Sequence, residues 1–145
     1  MFFGHYEHSL DDKGRLLLPR KIKEELKDNS PLYVLKGFEG CLSVYSETEF
    51  LKLCEDCEKI SFNKKNSRSY LRAVLSSVIE LSLDKVNRIQ IPKDTLTRFH
   101  ITKNVIIIGV GDHFEIWDKE SYQRYEEEIN AHFEEIAESL EKDDE

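Results

Sequence analysis

The sequence predicts an α+β fold, a small β-barrel assembled from two internal repeats with helices flanking it. Three observations point there. The pattern L-D-x-x-x-R-apolar-x-apolar-P occurs twice, at residues 10–19 and again at residues 83–92. Short apolar runs punctuated by glycine follow each copy, which is how short strands and their turns read. Half-domains of about 40–60 residues are too small to bury a good core alone, so the two copies are expected to fuse into one pseudo-symmetric domain. The expected organisation of the 145 residues is a first repeat over about 1–60, a linking helix over about 61–76, a second repeat over about 77–140 and an acidic tail at 141–145.

Each pattern reads as the turn of a β-hairpin. Asp11 and Arg15 flank a three-residue loop, Asp12-Lys13-Gly14, whose last position commonly needs a left-handed backbone. Glycine takes that conformation freely, and the matching residue of the second copy, Asn87, is one of the few others that tolerate it. Asp11 with Arg15, and Asp84 with Arg88, then stand across the hairpin mouth, where a charge-assisted bond fixes the direction of the guanidinium. The same pair also serves as a plain turn staple, and duplication copies a staple as faithfully as a binding site.

Pro19 and Pro92 mark the junction from strand to helix, and short helices are expected over 20–27 and 93–99. The apolar runs at 32–35, 42–45, 105–108 and 114–117 are the remaining strands. Phe50, Leu51, Leu53, Cys54, Cys57 and Ile60 form one face of a helix closing the first repeat, and Tyr70, Leu71, Val74 and Leu75 form a face of the linking helix. Tyr122, Tyr125, Ile129, Phe133, Ile136 and Leu140 recur at helical steps and predict one apolar seam, packed on the body or on a neighbouring subunit. Residues 141–145 are expected to be disordered.

The opening Met1-Phe2-Phe3-Gly4-His5-Tyr6-Glu7-His8-Ser9-Leu10, the two D-x-x-x-R motifs, and Asp112-His113-Phe114-Glu115-Ile116-Trp117 together resemble the bacterial MraZ family over nearly the whole chain. That resemblance implies an AbrB-like double swapped-hairpin barrel and ring-shaped, octamer-like homo-oligomers. It also implies a nucleoid-associated transcriptional regulator of the division and cell-wall gene cluster, binding repeated sequences in double-stranded promoter DNA. The DNA-binding residues carried over or adjoining the motifs are Asp11, Lys13, Gly14, Arg15, Arg20, Asp84, Lys85 and Arg88. The second loop, Lys85-Val86-Asn87, departs from the Lys-Gly pair of the first. Arg15 and Arg88 suit a guanine edge or a phosphate, Lys13 a phosphate, and the two aspartates orient the arginines.

A net charge of −8 argues against DNA until it is located. From residue 118 onward there are 12 acidic and 3 basic residues, a net of −9, leaving the first 117 residues with 18 basic and 17 acidic, a net of +1. Lys64, Lys65, Arg68 and Arg72 form a second basic run, either a DNA contact or the solvated face of the linking helix. So few phosphate contacts per subunit bind weakly at physiological salt, and repetition around a ring supplies the missing affinity. The competing reading is a protein-protein ring with no direct DNA role.

Catalysis and cofactors are not expected. Cys54-x-x-Cys57 lacks a second ligand pair for zinc and sits within a helical pattern, unlike a redox motif. No nucleophile elbow, phosphate loop or zinc-protease motif occurs in the 145 residues, and Asp112-His113 falls at a turn. The three cysteines suit a reducing cytoplasm, and neither a leader nor a membrane span is read at the start of the chain or beyond.

Overall fold

The computed structural model describes residues 1–143. The first half runs β1 (His5–Ser9), β2 (Arg15–Leu17), α1 (Arg20–Glu24), β3 (Leu32–Lys36), β4 (Leu42–Ser46) and α2 (Glu47–Glu58). Helix α3 (Lys65–Leu75) leads into β5 (Ile79–Leu81), β6 (Arg88–Gln90), α4 (Lys93–Arg98), β7 (Asn104–Gly109), β8 (Phe114–Asp118), α5 (Lys119–Ala131) and α6 (Phe133–Asp143). The α+β class holds. Pro19 and Pro92 stand as N-caps of α1 and α4 in extended conformation, where each ends a strand and starts a helix at no cost in donors.

The strands pair between halves. One sheet has the order β1-β7-β8-β4-β3-β5, and β2 and β6 form a separate antiparallel ribbon. Thus β1 of the first half lies on β7 of the second, β5 of the second lies on β3 of the first, and β4 joins β8 at the centre. Two expectations need correction here. Residues Asp11 to Arg15 do make a turn, but its arms do not pair as a hairpin; each finds its partner in the other half. The six-stranded sheet ends at β1 and β5, so among the described residues it is not a closed barrel. Strands β2 and β6 end shortly before Pro19 and Pro92 and pair only with each other, and a side-chain link from β1 to β2 runs from His8 Nδ1 to the Leu17 carbonyl at 2.6 Å.

Burial follows from this exchange. Leu16 and Ile89 face each other across the ribbon, are wholly buried, and join Leu18, Val34, Val44 and Phe114 in a core drawn from both halves. β7 reads Asn-Val-Ile-Ile-Ile-Gly, an unbroken apolar run, because both of its faces are covered. Val105 and Ile107 enter the main core, while Ile106 packs with Trp117 and Cys41 beneath Tyr122 and Tyr125 of α5. Trp117 stacks on Tyr125 at 5.0 Å between centroids.

The C-terminal helix departs from its expected single seam. His132 takes non-helical angles, and the chain restarts as α6 with Ile136 N donating to the His132 carbonyl. Tyr122 and Tyr125 pack on the body; Phe133, Ile136 and Leu140 are exposed. The stretch expected to be disordered from Glu141 begins inside α6, which runs to Asp143, and residues 144 and 145 lie outside the described residues. The C-x-x-C lies within α2, and all three cysteines are free thiols. Among the described residues no helix is long and apolar enough to cross a membrane.

Candidate nucleic-acid interface

The two L-D-x-x-x-R turns are built alike, bond for bond. In the first, Asp11 Oδ1 accepts the backbone N–H groups of Lys13 at 2.9 Å and Arg15 at 2.8 Å, while Arg15 Nε donates to Asp11 Oδ2 at 2.5 Å. In the second, Asp84 Oδ1 accepts from the N–H groups of Val86 at 3.0 Å and Arg88 at 2.9 Å, and Arg88 Nε donates to Asp84 Oδ2 at 2.9 Å. One carboxylate thus satisfies the loop's own donors and aims the guanidinium, which leaves the Nη groups as the arginine's remaining donors. Gly14 and Asn87 take the left-handed position, with φ of 76° and 65°.

The ribbon brings the two turns together. Arg15 stands opposite Gln90 and Leu17 opposite Arg88, with Leu16 and Ile89 between them turned inward. Beyond the ladder, Ile91 N donates to the Gly14 carbonyl at 2.9 Å and Leu18 N to the Asn87 carbonyl at 3.1 Å, so each loop is tied to the other half's chain. Arg88 Nη1 also lies 3.9 Å from Asp11 Oδ2, which makes one charge network of Asp11, Arg15, Asp84 and Arg88. Both arginine side chains are about one-third exposed, at 32%.

The carboxylates respond to this geometry. The backbone N–H of Arg15, and then its guanidinium, hold the Asp11 carboxyl below its ordinary value of 3.8; the backbone N–H groups of Arg88 and Val86 and the Arg88 side chain do the same for Asp84. A carboxylate whose folded pKa is depressed contributes stability above the unfolded value and loses it as pH falls through the folded value. The stabilising contribution of both carboxylates is therefore present at neutral and mildly acidic pH and is lost as pH falls below the ordinary value of 3.8. Urea unfolding midpoints taken from pH 7 down to acid should fall more steeply for the native chain than for Asp11→Asn in that last interval.

Of the other residues expected at the site, Lys13 and Lys85 are exposed on the loops, and Gly14 is buried against Ile91 and Leu96 of the second half. Lys13 lines a shallow depression with Gln90 and Lys93. Arg20 is not part of the network: it is almost fully exposed on α1 and pairs with Glu24 at 3.3 Å. The basic run of 64–72 lies on α3, where Arg68 donates to the Phe62 carbonyl and Arg72 stands over the Phe62 ring, apart from the ribbon. Sequence reasoning missed Gln90, whose side-chain amide donates to the Lys13 carbonyl at 3.1 Å, and Leu17, half exposed beside Arg88. Period-two alternation from the arginines was the signal that places both on their face.

Among the described residues no group of three metal-ligating side chains comes together. The Cys41 thiol is pushed far up by burial and by Glu115, the reverse of an activated nucleophile. Asp112 and His113 bond each other at 2.7 Å beside Tyr45 at the β7–β8 turn. Fold and site together define an α+β protein in which one β-ribbon joins two like-built arginine-bearing turns. Residues 1–73 and 75–144 each match the model of the family described as "MraZ protein, putative antitoxin-like", and the chain belongs to the MraZ family. It is 41% identical to the transcriptional regulator MraZ of Mesoplasma florum over 97% of this chain and 95% of that protein. It is 40% identical to the protein of the same name from Caldanaerobacter subterraneus subsp. tengcongensis and 36% identical to that of Ligilactobacillus salivarius, each over 97% of this chain and 96% of the relative.

Proposed function

We propose that this chain is a transcriptional regulator of the division and cell-wall gene cluster that binds repeated promoter sequences in double-stranded DNA. The observation that carries this reading is the pair of aspartate-held arginines set on one face by one β-ribbon. A major groove admits a two-stranded ribbon, and an arginine fork matches the O6 and N7 acceptors of guanine. Arg15 and Arg88 contact bases or phosphates, Lys13 and Lys85 contact phosphates, Asp11, Asp84 and Gly14 hold the loops, and Arg20 adds charge at the margin. The names of the relatives support regulation in preference to catalysis. No cofactor, membrane or small-molecule substrate enters this reading, and the place of action is the nucleoid in the cytoplasm.

The exchange of strands between the halves further supports an AbrB-like double swapped-hairpin relationship between two repeats of one domain, with the six-stranded sheet left open at β1 and β5. Each copy presents few cations, so the functional unit is a ring-shaped, octamer-like homo-oligomer that engages several repeats at once. The exposed Phe133, Ile136 and Leu140 of α6 favour assembly with other protein surfaces. Binding to duplexes that carry one, two and four promoter repeats tests this. Affinity is expected to climb at least tenfold per added repeat through effective concentration, on the order seen for linked sites. Equal affinity for all three overturns the ring, and absence of binding favours a protein-protein ring.

A further inference from the structure

The duplication allows one half of the reading face to be compared with the other within a single chain. The backbones match, and the side chains do not. Arg15 has the amide of Gln90 opposite it, whereas Arg88 has the isobutyl group of Leu17, although Leu17 and Gln90 are equivalent positions of the two copies. The loop tips differ in the same sense. Lys13 is bonded through its carbonyl to Gln90 and shares its depression with Lys93, while the equivalent tip residue of the second loop is Val86. Leu17 is 50% exposed and Val86 55% exposed, although the facing Leu16 and Ile89 are wholly buried. The ribbon neighbour and the loop tip are polar around Arg15 and aliphatic around Arg88, while one position before the tip the first loop has Asp12 and the second has Lys85.

We infer that Leu17, with Val86 beside Arg88, is a specificity-determining residue that takes the C5 methyl of a thymine. This rests on the DNA reading above. The methyl of thymine is the one apolar group on a base edge in the major groove, and aliphatic side chains are its ordinary partners. Flanking cations, Arg15, Arg88, Lys13 and Lys85, suit a polyanion as the occupant of this face better than an apolar protein surface. The two halves then read non-equivalent bases: Arg15, Gln90 and Lys13 meet a polar edge, and Arg88, Leu17 and Val86 meet a thymine next to the group that Arg88 engages. A pseudo-symmetric ribbon in this way reads an asymmetric site and fixes its own polarity on the DNA.

The test replaces each thymine of a promoter repeat in turn with deoxyuridine, which removes only the methyl, and measures binding to the intact protein. At one position per repeat the native chain is expected to lose about fourfold in affinity, the effect of one methyl returned to water. Leu17→Ala should bind the thymine and uracil forms equally there, and Arg15→Ala should weaken every duplex while keeping the fourfold ratio. A ratio near one at every position overturns the inference, as does a ratio that survives in Leu17→Ala. A changed oligomeric mass in Leu17→Ala with the ratio intact overturns it in favour of a protein interface. Absence of salt-sensitive binding to any duplex overturns the DNA reading as well, so the two failures are distinct.

Discussion

Arg15→Ala lowers affinity for a promoter duplex by about 1–3 kcal/mol, roughly five- to 150-fold, and Arg88→Ala lowers it by less. The difference comes from the network rather than from the arginines, which are equally exposed. Asp11 Oδ2 is bonded to Arg15 and also lies 3.9 Å from Arg88. Removing Arg15 leaves that carboxylate without its main partner, and it then competes with Asp84 for Arg88. Both reading groups are disturbed by one change. Removing Arg88 leaves the bond between Arg15 and Asp11 in place, with Lys13 and Gln90 still beside it. Shift assays on one fragment, with circular dichroism to establish folding, compare the two variants directly; equal losses would mean that the halves act independently.

Gly14→Ala is the second change with a large expected effect, here on stability. The residue has φ of 76°, which costs a non-glycine residue about 1–2 kcal/mol. A Cβ there would also lie 2.5 Å from the Ile91 carbonyl oxygen, a backbone atom held close because Ile91 N donates to the Gly14 carbonyl. Overpacking of this kind adds about 1–3 kcal/mol, for a total of about 2–5 kcal/mol and a fall in Tm on the order of 10 °C. Asn87→Gly is the control, since Asn87 holds the same conformation in the second loop while exposed; its stability should change by at most about 0.5 kcal/mol. Thermal unfolding of the two variants checks both values. The duplicated position is thus one in φ and two in packing.

Local chemistry was legible and partnership was not. Glycine and asparagine at equivalent loop positions announced the left-handed turn residue, and the aspartate and arginine spacing announced the bond between them. The four apolar runs appeared as β3, β4, β7 and β8 within a residue or two of where they were read. Which strand each arm of the turn pairs with depends on the other repeat, and a D-x-x-x-R turn has the same sequence whether its arms meet each other or exchange. The expectation of a hairpin therefore failed, and with it the closure of the sheet. The break at His132 was hidden for a related reason: apolar residues recur at steps of three and four straight through it, so periodicity alone carries no mark of the restart. Leu17 and Gln90 were legible too, because a residue two positions from an outward-facing arginine on a strand shares its face.

A binding titration decides the central claim, that the paired turns form a DNA-reading face. Native protein and Arg15→Ala are titrated with the promoter fragment upstream of the protein's own gene, beside a scrambled fragment, at two salt concentrations. A DNA-reading face binds the promoter tightly in the native chain, and that binding is steeply weakened by salt and largely lost in the variant. Equal or absent binding to both fragments by an intact oligomer would contradict it.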